Sequence, residues 1–182
     1  MSVLFTPEQN SALILGGARS GKSTYAEKMV LACGNAPHYV ATSQIFDDEM
    51  KQRVHQHQKR RGTQWSVTEE PLNLCEAIEA VPTSSSAILV DCLTLWLSNL
   101  MHHDRNVDVE TSQLLELIPR LGQPIVFVSN EVGMGIVPEN ALARAFRDHQ
   151  GRLNQSLAAI VDRVDFIAAG LPLNLKPQRT IQ

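Results

Sequence analysis

The sequence predicts an α/β fold with a mainly parallel sheet that is covered by helices on both faces. Apolar segments of strand length alternate along the chain with longer segments of helical periodicity. Two strand segments, AILVD at 87–91 and PIVFVSN at 124–130, are apolar almost throughout, which is typical of parallel strands buried on both faces. The first strand segment ends in a glycine-rich turn. These features predict that the 182 residues form one three-layer domain, 1–182.

Six segments have the composition of strands, because each is a short apolar run bounded by polar or glycine-containing turns. They are predicted at 11–17, 38–42, 65–68, 87–91, 124–130 and 164–170. Strands that alternate with helices run parallel, so their carboxyl ends meet at one edge of the sheet. Ligands of such folds bind at that edge.

Six further segments have the apolar periodicity of helices. They are predicted at 22–33, 47–61, 72–80, 92–100, 109–121 and 139–163. In the second of them Asp47, Asp48 and Glu49 fall in the first turn, where carboxylates suit the helix dipole. A disturbance is expected at Gly151 in the last helix. After Leu171 the chain is predicted to be an extended surface tail.

Composition and charge argue against several classes of protein. Hydrophobic residues make up 43% of the chain and charged residues 19%, as in ordinary globular proteins, and the net charge of -3 disfavours a nucleic-acid binder. No apolar run approaches the ~20 residues that span a bilayer, and the amino-terminal segment lacks the pattern of a signal peptide. The cysteines Cys33, Cys75 and Cys92 fit neither a disulfide framework nor a zinc site. We therefore expect a cytoplasmic protein with no nucleic-acid partner and no membrane span.

The glycine-rich turn GGARSGKS predicts a loop that binds nucleotide phosphates. Gly16, Gly17 and Gly21 let the backbone turn tightly, so that N–H groups can point at phosphate oxygens. Lys22 supplies a cation for the outer phosphates, and Ser23 supplies a hydroxyl for Mg²⁺ at the start of a helix. The predicted contacts are Gly16, Gly17, Ala18, Arg19, Ser20, Gly21, Lys22 and Ser23.

Polar residues end two of the later strands. Asp91 ends the strand at 87–91, where many proteins with this loop carry the carboxylate that holds Mg²⁺ or its water. The alternative is that Asp91 caps the following helix. Asn130 and Glu131 end the next strand and are expected beside the phosphate loop. They either orient an acceptor hydroxyl or a metal-bound water, or Asn130 forms a turn and Glu131 is a solvated side chain.

A basic segment contains a candidate nucleophile. Arg53, His57 and Arg61 are four residues apart and share one face of a helix. Neighbouring guanidiniums lower the pKa of an imidazole from about 6.5, which favours the nucleophilic free base, and they can bind triphosphate oxygens. Attack on an α-phosphorus would form a nucleotidyl-histidine. A solvated, charged helix surface is the alternative. A second triplet has the same spacing: Lys51, His55 and Lys59.

Several stretches together resemble a known family. They are GGARSGKS, then ATSQIFDDEM with RVHQHQ, then NEVGMGIVPEN with LARAFRD, and finally GRLNQ. In combination they resemble the bifunctional adenosylcobinamide kinase / adenosylcobinamide-phosphate guanylyltransferase of cobalamin biosynthesis. The resemblance runs from the first strand to about Leu175. It implies a RecA-like, P-loop NTPase fold that assembles as a homotrimer.

The resemblance implies two successive reactions. The aminopropanol hydroxyl of adenosylcobinamide is phosphorylated with ATP or GTP. GMP is then transferred from GTP through a guanylylated histidine, which yields adenosylcobinamide-GDP and pyrophosphate. The family's R-x-x-x-H spacing matches Arg53 and His57, and some members have a second histidine where this chain has Gln56. His57 is therefore implied to be the nucleophile, and Lys22 is the other catalytic residue.

The resemblance also implies nucleotide contacts beyond the phosphate loop. They are Ala41, Thr42, Ser43, Gln58, Lys59, Arg60, Arg61, Glu69 and Asp91. Mg²⁺ is the expected cofactor, with Ser23 and Asp91 as its protein ligands. The implied substrates are ATP, GTP, adenosylcobinamide and its phosphate.

Two other functions stay open at this point. The first is a small-molecule kinase of the same fold, with His57 on the surface, which predicts no protein-bound GMP. The second is a switch or assembly protein that only hydrolyses nucleoside triphosphates. It predicts turnover that is indifferent to cobinamide, and a large exposed apolar patch would favour it.

Overall fold

The computed structural model describes residue 5 and residues 9–44 and 64–176, and within these ranges the chain forms seven strands and five α-helices. The strands are β1 (Ser11–Gly16), β2 (Pro37–Ala41), β3 (Ser66–Glu69), β4 (Ala87–Asp91), β5 (Ile125–Asn130), β6 (Arg163–Ala168) and β7 (Leu171–Lys176). The helices are α1 (Lys22–Leu31), α2 (Leu74–Glu79), α3 (Leu93–His102), α4 (Val107–Leu117) and α5 (Ala141–Ile160).

All seven strands belong to one sheet with the order β3-β2-β4-β5-β1-β6-β7. The first six strands in chain order pair in parallel, and β7 pairs antiparallel with β6. The mainly parallel sheet predicted from the apolar strands is therefore confirmed. Because the strands are parallel, β1 to β6 present their carboxyl ends along a single edge, which we call the ligand edge.

Hydrophobic cores lie on both faces of this sheet, as the sequence predicts. Ile14 of β1 and Val126 of β5 pack with α1 on one face. Their neighbours Leu13 and Phe127 pack on the other face, against residues of α2 to α5. This alternation is the period of two of a strand, and it explains why the central strands carry apolar residues at nearly every position.

The segment after Leu171 differs from its prediction, because it forms β7 rather than a surface tail. A two-residue turn at Ala169 and Gly170, with φ of 51° and 79°, reverses the chain, and such turns match the twist of a hairpin. Asn174 then donates to Asp165 of β6 at 2.9 Å. An alternation of apolar and polar residues normally predicts a strand whose apolar side chains are buried. In β7 the leucines are exposed instead, and Asn174 and Lys176 point towards the protein.

Local capping sets the ends of two helices. Asn106 accepts hydrogen bonds from the first turn of α4, which therefore begins at Val107 and continues at its end into a 3₁₀ turn, Ile118–Arg120. Asn140 caps α5 in the same way, and the helix runs through Gly151 without the expected disturbance. The helix predicted at 47–61 lies outside the described residues. In the described part of the chain, no helix is long and apolar enough to cross a membrane.

Candidate nucleotide-binding site

The phosphate loop lies at the ligand edge, between the end of β1 and the start of α1. Gly16 has a φ of 151°, and a Cβ at this position would lie 2.4 Å from the Ile167 carbonyl oxygen, so only glycine fits. Gly21 is the N-cap residue of α1, with a φ of 100°, and no side chain caps the helix. The first-turn N–H groups of α1 are therefore free of a side-chain cap, which is the arrangement that binds an anion at a helix N-terminus.

Neighbouring segments hold the loop in shape. Gly170, in the β6–β7 turn, donates its N–H to the Ser20 carbonyl oxygen at 2.8 Å, and Glu131 donates to the Gly16 carbonyl oxygen at 3.0 Å. The Ser20 hydroxyl oxygen is buried and has no hydrogen-bond partner among the described residues. Hydrogen bonds from two neighbouring segments therefore hold the loop in position, and one of its buried polar atoms is unpaired within the described part of the chain.

Lys22 lies folded over this loop. Its side-chain nitrogen donates to the Gly17 carbonyl oxygen at 2.6 Å, and the residue is 6% exposed. Burial lowers the pKa of Lys22, and the nearby Cys92 and Asp91 partly offset this effect. A phosphate anion would stabilise the charged form of this ammonium group, because it supplies an opposite charge close to a buried cation.

Asp91 lies at the end of β4, close enough to Lys22 to interact with it electrostatically. Its carboxylate accepts a hydrogen bond from the Tyr39 hydroxyl at 3.0 Å. The capping alternative is not observed, because Cys92 is the N-cap residue of α3 and that helix has no side-chain cap. Asp91 therefore stands beside the phosphate loop as an oxygen donor. Ser23, the other predicted metal ligand, lies in the first turn of α1 and is partly exposed.

The sheet register brings three of the predicted nucleotide contacts into one line. Ala41 of β2 is paired with Glu69 of β3 on one side and with Asp91 of β4 on the other. The phosphate loop follows β1, which is four strands from β3 and therefore ~19 Å away at ~4.8 Å per strand. The predicted contacts at β3, β2 and β4 therefore lie on the same side of the phosphate loop along the ligand edge.

Thr42 is fully buried, and its hydroxyl and carbonyl groups form hydrogen bonds within the protein. Its hydroxyl donates to the Cys92 carbonyl oxygen at 2.7 Å and accepts from the Cys92 N–H at 2.9 Å, while its own carbonyl accepts from Asn99 at 2.8 Å. Thr42 thus joins the ends of β2 and β4. Ala41 and Ser43, on either side of it, are partly exposed at the ligand edge.

Sequence reasoning missed the residues that hold Asn130. The Asn130 N–H donates to the Thr94 hydroxyl at 2.8 Å, and its carbonyl accepts from Asn154 at 3.1 Å. Asn154 in turn accepts from Ser129 at 2.7 Å, and Gln150 donates to both of them. The sequence did contain a sign of this arrangement. Gln150 and Asn154 are polar, four residues apart, and lie on the buried face of a predicted helix. Asn130 is consequently fixed beside Gly16, with which it pairs in the sheet.

Glu131 takes part in the turn that follows β5. Its carboxylate accepts the Gly133 N–H and so stabilises this turn. Glu69 is exposed at the end of β3, whereas its neighbour Glu70 accepts from the N–H groups of Leu72 and Asn73 and shapes the start of α2.

The candidate nucleophile and its neighbours lie outside the described residues. They are Arg53, His57 and the predicted contacts Gln58, Lys59, Arg60 and Arg61. The segment that contains them follows β2, which ends at the ligand edge beside the line of predicted nucleotide contacts.

Two solved structures share the fold. One is an ATPase domain with a TM-score of 0.51 and 11% identity, covering 87% of this chain and 69% of its own. The other, an ATPase from the type III secretion system of pathogenic bacteria, has a TM-score of 0.51 and 13% identity, covering 91% and 56%. At such identities the likeness concerns the fold alone, and it confirms the predicted P-loop NTPase architecture.

Relatives of known name are much more similar in sequence. The bifunctional adenosylcobalamin biosynthesis protein CobP of Pseudomonas aeruginosa is 45% identical over 166 residues, which cover 90% of this chain and 96% of the relative. The protein of the same description, CobU, of Salmonella typhimurium is 41% identical over 181 residues, covering 90% and 98%. The family model described as cobinamide kinase / cobinamide phosphate guanyltransferase matches residues 12–175. With its phosphate loop and ligand edge, the chain belongs to the cobinamide kinase / cobinamide phosphate guanyltransferase family.

Proposed function

We propose that the chain catalyses both reactions for which its family is named, with one nucleotide site at the ligand edge serving the two of them. The observation that carries this proposal is the register of the sheet. Ala41, Glu69 and Asp91 are paired neighbours at the ligand edge that also carries the phosphate loop, which supports a site for both the base and the phosphates of one nucleotide. The substrates are ATP or GTP with adenosylcobinamide, and GTP with adenosylcobinamide phosphate.

In the kinase reaction the aminopropanol hydroxyl of adenosylcobinamide attacks the γ-phosphorus of the nucleotide. The bond to the β-phosphate oxygen breaks, the nucleoside diphosphate leaves, and the hydroxyl proton is lost. The chain contributes the N–H groups of the phosphate loop and the Lys22 ammonium, which bind the charge that develops on the transferred group. Hydrogen bonds fix the backbone of Asn130 at the neighbouring strand end, and we expect its side chain to orient the acceptor.

The donors at the ligand edge fit Mg²⁺ as the cofactor of this reaction. Mg²⁺ takes oxygen ligands, typically one or two from the protein and the rest from phosphates and water. Asp91 would provide a carboxylate oxygen and Ser23 a hydroxyl oxygen. When bound, the ion neutralises phosphate charge.

In the guanylyltransferase reaction an imidazole nitrogen of His57 attacks the α-phosphorus of GTP, and pyrophosphate leaves. A phosphate oxygen of adenosylcobinamide phosphate then attacks the same phosphorus. The P–N bond breaks, which gives adenosylcobinamide-GDP and free His57. The support for His57 is its spacing from Arg53 and Arg61, together with membership of the family. A single site requires His57 to come close to the α-phosphorus, and we expect its segment to move during the cycle.

The homotrimer and the cytoplasmic location implied by the sequence resemblance are also part of this proposal. Light scattering of the purified chain tests the first, since a trimer has three times the mass of one chain of 20.1 kDa. Cell fractionation tests the second.

The decisive experiment for the histidine intermediate uses GTP labelled at the α-phosphate. The protein is expected to retain the label in a bond that is labile in acid and stable in base, as a P–N bond is. Addition of adenosylcobinamide phosphate should then release the label into a corrinoid product. The His57→Ala variant should retain none, and the matched His55→Ala variant should be labelled like the wild type.

Each alternative has its own outcome. Equal labelling of the His57→Ala variant would contradict the assignment of the nucleophile. Phosphorylation of adenosylcobinamide without labelled protein would indicate a simple kinase. Nucleotide hydrolysis that is unchanged by either corrinoid would favour a switch or assembly protein.

A further inference from the structure

Helix α5 extends well beyond the sheet at the ligand edge. Just after this helix, Asp162 accepts from the Ser11 N–H, at the start of β1, at 3.0 Å. Towards the other end, Gln150 donates to Ser129 near the end of β5 at 2.9 Å. The ligand edge is therefore level with Gln150. Residues 141–149 project ~14 Å past it, at ~1.5 Å per residue.

The loop that leads from β5 to this projecting part of α5 exposes apolar side chains. Its residues 132–138, VGMGIVP, include no charged side chain. Met134 is 80% exposed, Ile136 97% and Val137 59%, and Leu142 at the start of α5 is 67% exposed. A contiguous apolar segment of this kind is unfavourable in water unless it has a binding role.

Hydrogen bonds hold both ends of this loop. Glu131, where the loop begins, donates its N–H to the Gly16 carbonyl oxygen of the phosphate loop at 3.0 Å. At the other end Arg144 donates to the Pro138 carbonyl oxygen at 2.9 Å, and Asn140 caps α5. The exposed apolar side chains are therefore presented by an anchored segment that starts directly beside the phosphate site.

A groove continues from the end of the loop. It has a volume of about 650 Å³ and lies between the end of α3 and the projecting part of α5. Its apolar lining consists of Met101, Leu142, Ala143 and Phe146. Its polar lining consists of Ser98, His102, Asn140 and the carboxylate of Asp104. A mostly apolar cavity with a few polar groups is typical of sites for small organic molecules.

We propose that the loop and this groove, together called the acceptor surface (residues 132–146 with the end of α3), bind the corrin macrocycle of adenosylcobinamide. This inference rests on the proposed function. The acceptor hydroxyl of adenosylcobinamide must reach the phosphate loop. The macrocycle that carries this hydroxyl on a side arm therefore has to lie no further from the ligand edge than the length of that arm. The macrocycle carries methyl and amide groups, which match an uncharged apolar loop bordered by a groove with polar atoms. The anchored start of the loop at Gly16 provides the required proximity.

The test compares Ile136→Ser and Leu142→Ser with the wild type and with Val109→Ser. Val109 is a matched control because it is 49% exposed on α4 and does not line the groove. Equilibrium dialysis with adenosylcobinamide measures corrinoid affinity directly. We expect both test variants to raise its Kd and KM on the order of tenfold, since burial of one aliphatic side chain contributes at least that much affinity. The conservative Ile136→Leu variant should bind like the wild type.

Labelling by α-phosphate-labelled GTP needs no corrinoid, so it reports whether the nucleotide site of each variant is intact. Wild-type labelling with weakened corrinoid binding supports the acceptor surface. Unchanged Kd values in both test variants would overturn it. Equal losses in labelling and corrinoid binding, or a smaller assembly by light scattering, would also overturn it, because the surface would then be a subunit contact or part of the general fold. If the wild type neither binds nor phosphorylates adenosylcobinamide, the proposed function itself fails and this inference fails with it.

Discussion

At the scale of single residues, the phosphate loop depends on a glycine that leaves room for the neighbouring strand. Gly16 faces the backbone of β6, and a Cβ there would lie 2.4 Å from the Ile167 carbonyl oxygen and 2.8 Å from the Ser20 hydroxyl. The next residue, Gly17, has no atom within 4 Å of the equivalent position. Close packing therefore requires a glycine at position 16, whereas the structure leaves open space at Gly17, which is a predicted phosphate contact.

We expect Gly16→Ala to lower the free energy of unfolding by about 1 to 3 kcal/mol, because the backbone of β6 cannot yield to the added methyl group. Gly17→Ala should leave that free energy within about 0.5 kcal/mol of the wild type, as open-site substitutions do. Urea unfolding without nucleotide measures both. Equal stabilities of the two variants would show that the close approach at Gly16 does not constrain the fold.

At the scale of elements, a buried histidine connects β2 and β3, the two outer strands at one end of the sheet. His38 of β2 is 5% exposed, and its ring nitrogens lie 2.8 Å from the Ser66 hydroxyl and 2.9 Å from the Thr68 hydroxyl of β3. β3 is an edge strand that ends at Glu69, so its attachment to β2 also positions a predicted nucleotide contact. Burial lowers the pKa of His38, and the ring is neutral in the folded protein.

This environment predicts a pH dependence of stability. Between the lowered pKa of His38 and about 6.5, the unfolded chain binds more protons than the folded chain, so the free energy of unfolding rises with pH in that window. The stabilisation that comes from the neutral ring of His38 is complete above about pH 6.5. It is lost as the pH falls through the pKa of His38 in the folded protein. Urea unfolding at pH 7.5 and pH 5.5 measures the difference. His38→Gln should reduce it, and the exposed-site control His103→Gln should not. If the free energy of unfolding changes equally between the two pH values in all three proteins, His38 is not the source of the pH dependence.

At the scale of the whole molecule, the ligand edge gathers groups that are far apart in sequence. Gly16, Ala41, Glu69, Asp91 and Asn130 end five different strands, and the parallel pairing places these strand ends side by side. The β6–β7 turn and the buried side chains behind Asn130 brace this edge from the far end of the chain. The proposal of a single nucleotide site for both reactions is based on this arrangement.

If one site serves both reactions, Lys22→Ala should impair both. We expect a loss on the order of a hundredfold in phosphorylation of adenosylcobinamide and in protein labelling from α-phosphate-labelled GTP, because the same ammonium binds the phosphates each time. Lys28→Ala, an exposed change in the last turn of the same helix, is the control. His57→Ala should lose only the labelling. Full labelling of Lys22→Ala would instead indicate a second nucleotide site.

The sequence by itself determined the fold class, the phosphate loop and the family. Each of these is encoded locally, in apolar periodicity and in short motifs whose residues are neighbours in the chain. It also predicted Asp91 as a site residue, since the end of a buried strand is visible as the end of an apolar run.

Only the tertiary structure decided how these parts meet. The pairing of β7 and the hydrogen bonds of Thr42 with Cys92 depend on partners that no local pattern specifies. The same is true of the attachment of Asn130 to Asn154 and of the support that Gly170 gives to the phosphate loop. Ser20 and Gly170 are 150 positions apart, yet they share a hydrogen bond of 2.8 Å. Periodicity indicates which face of a strand is buried, whereas the identity of its partners follows from the packing of the whole chain.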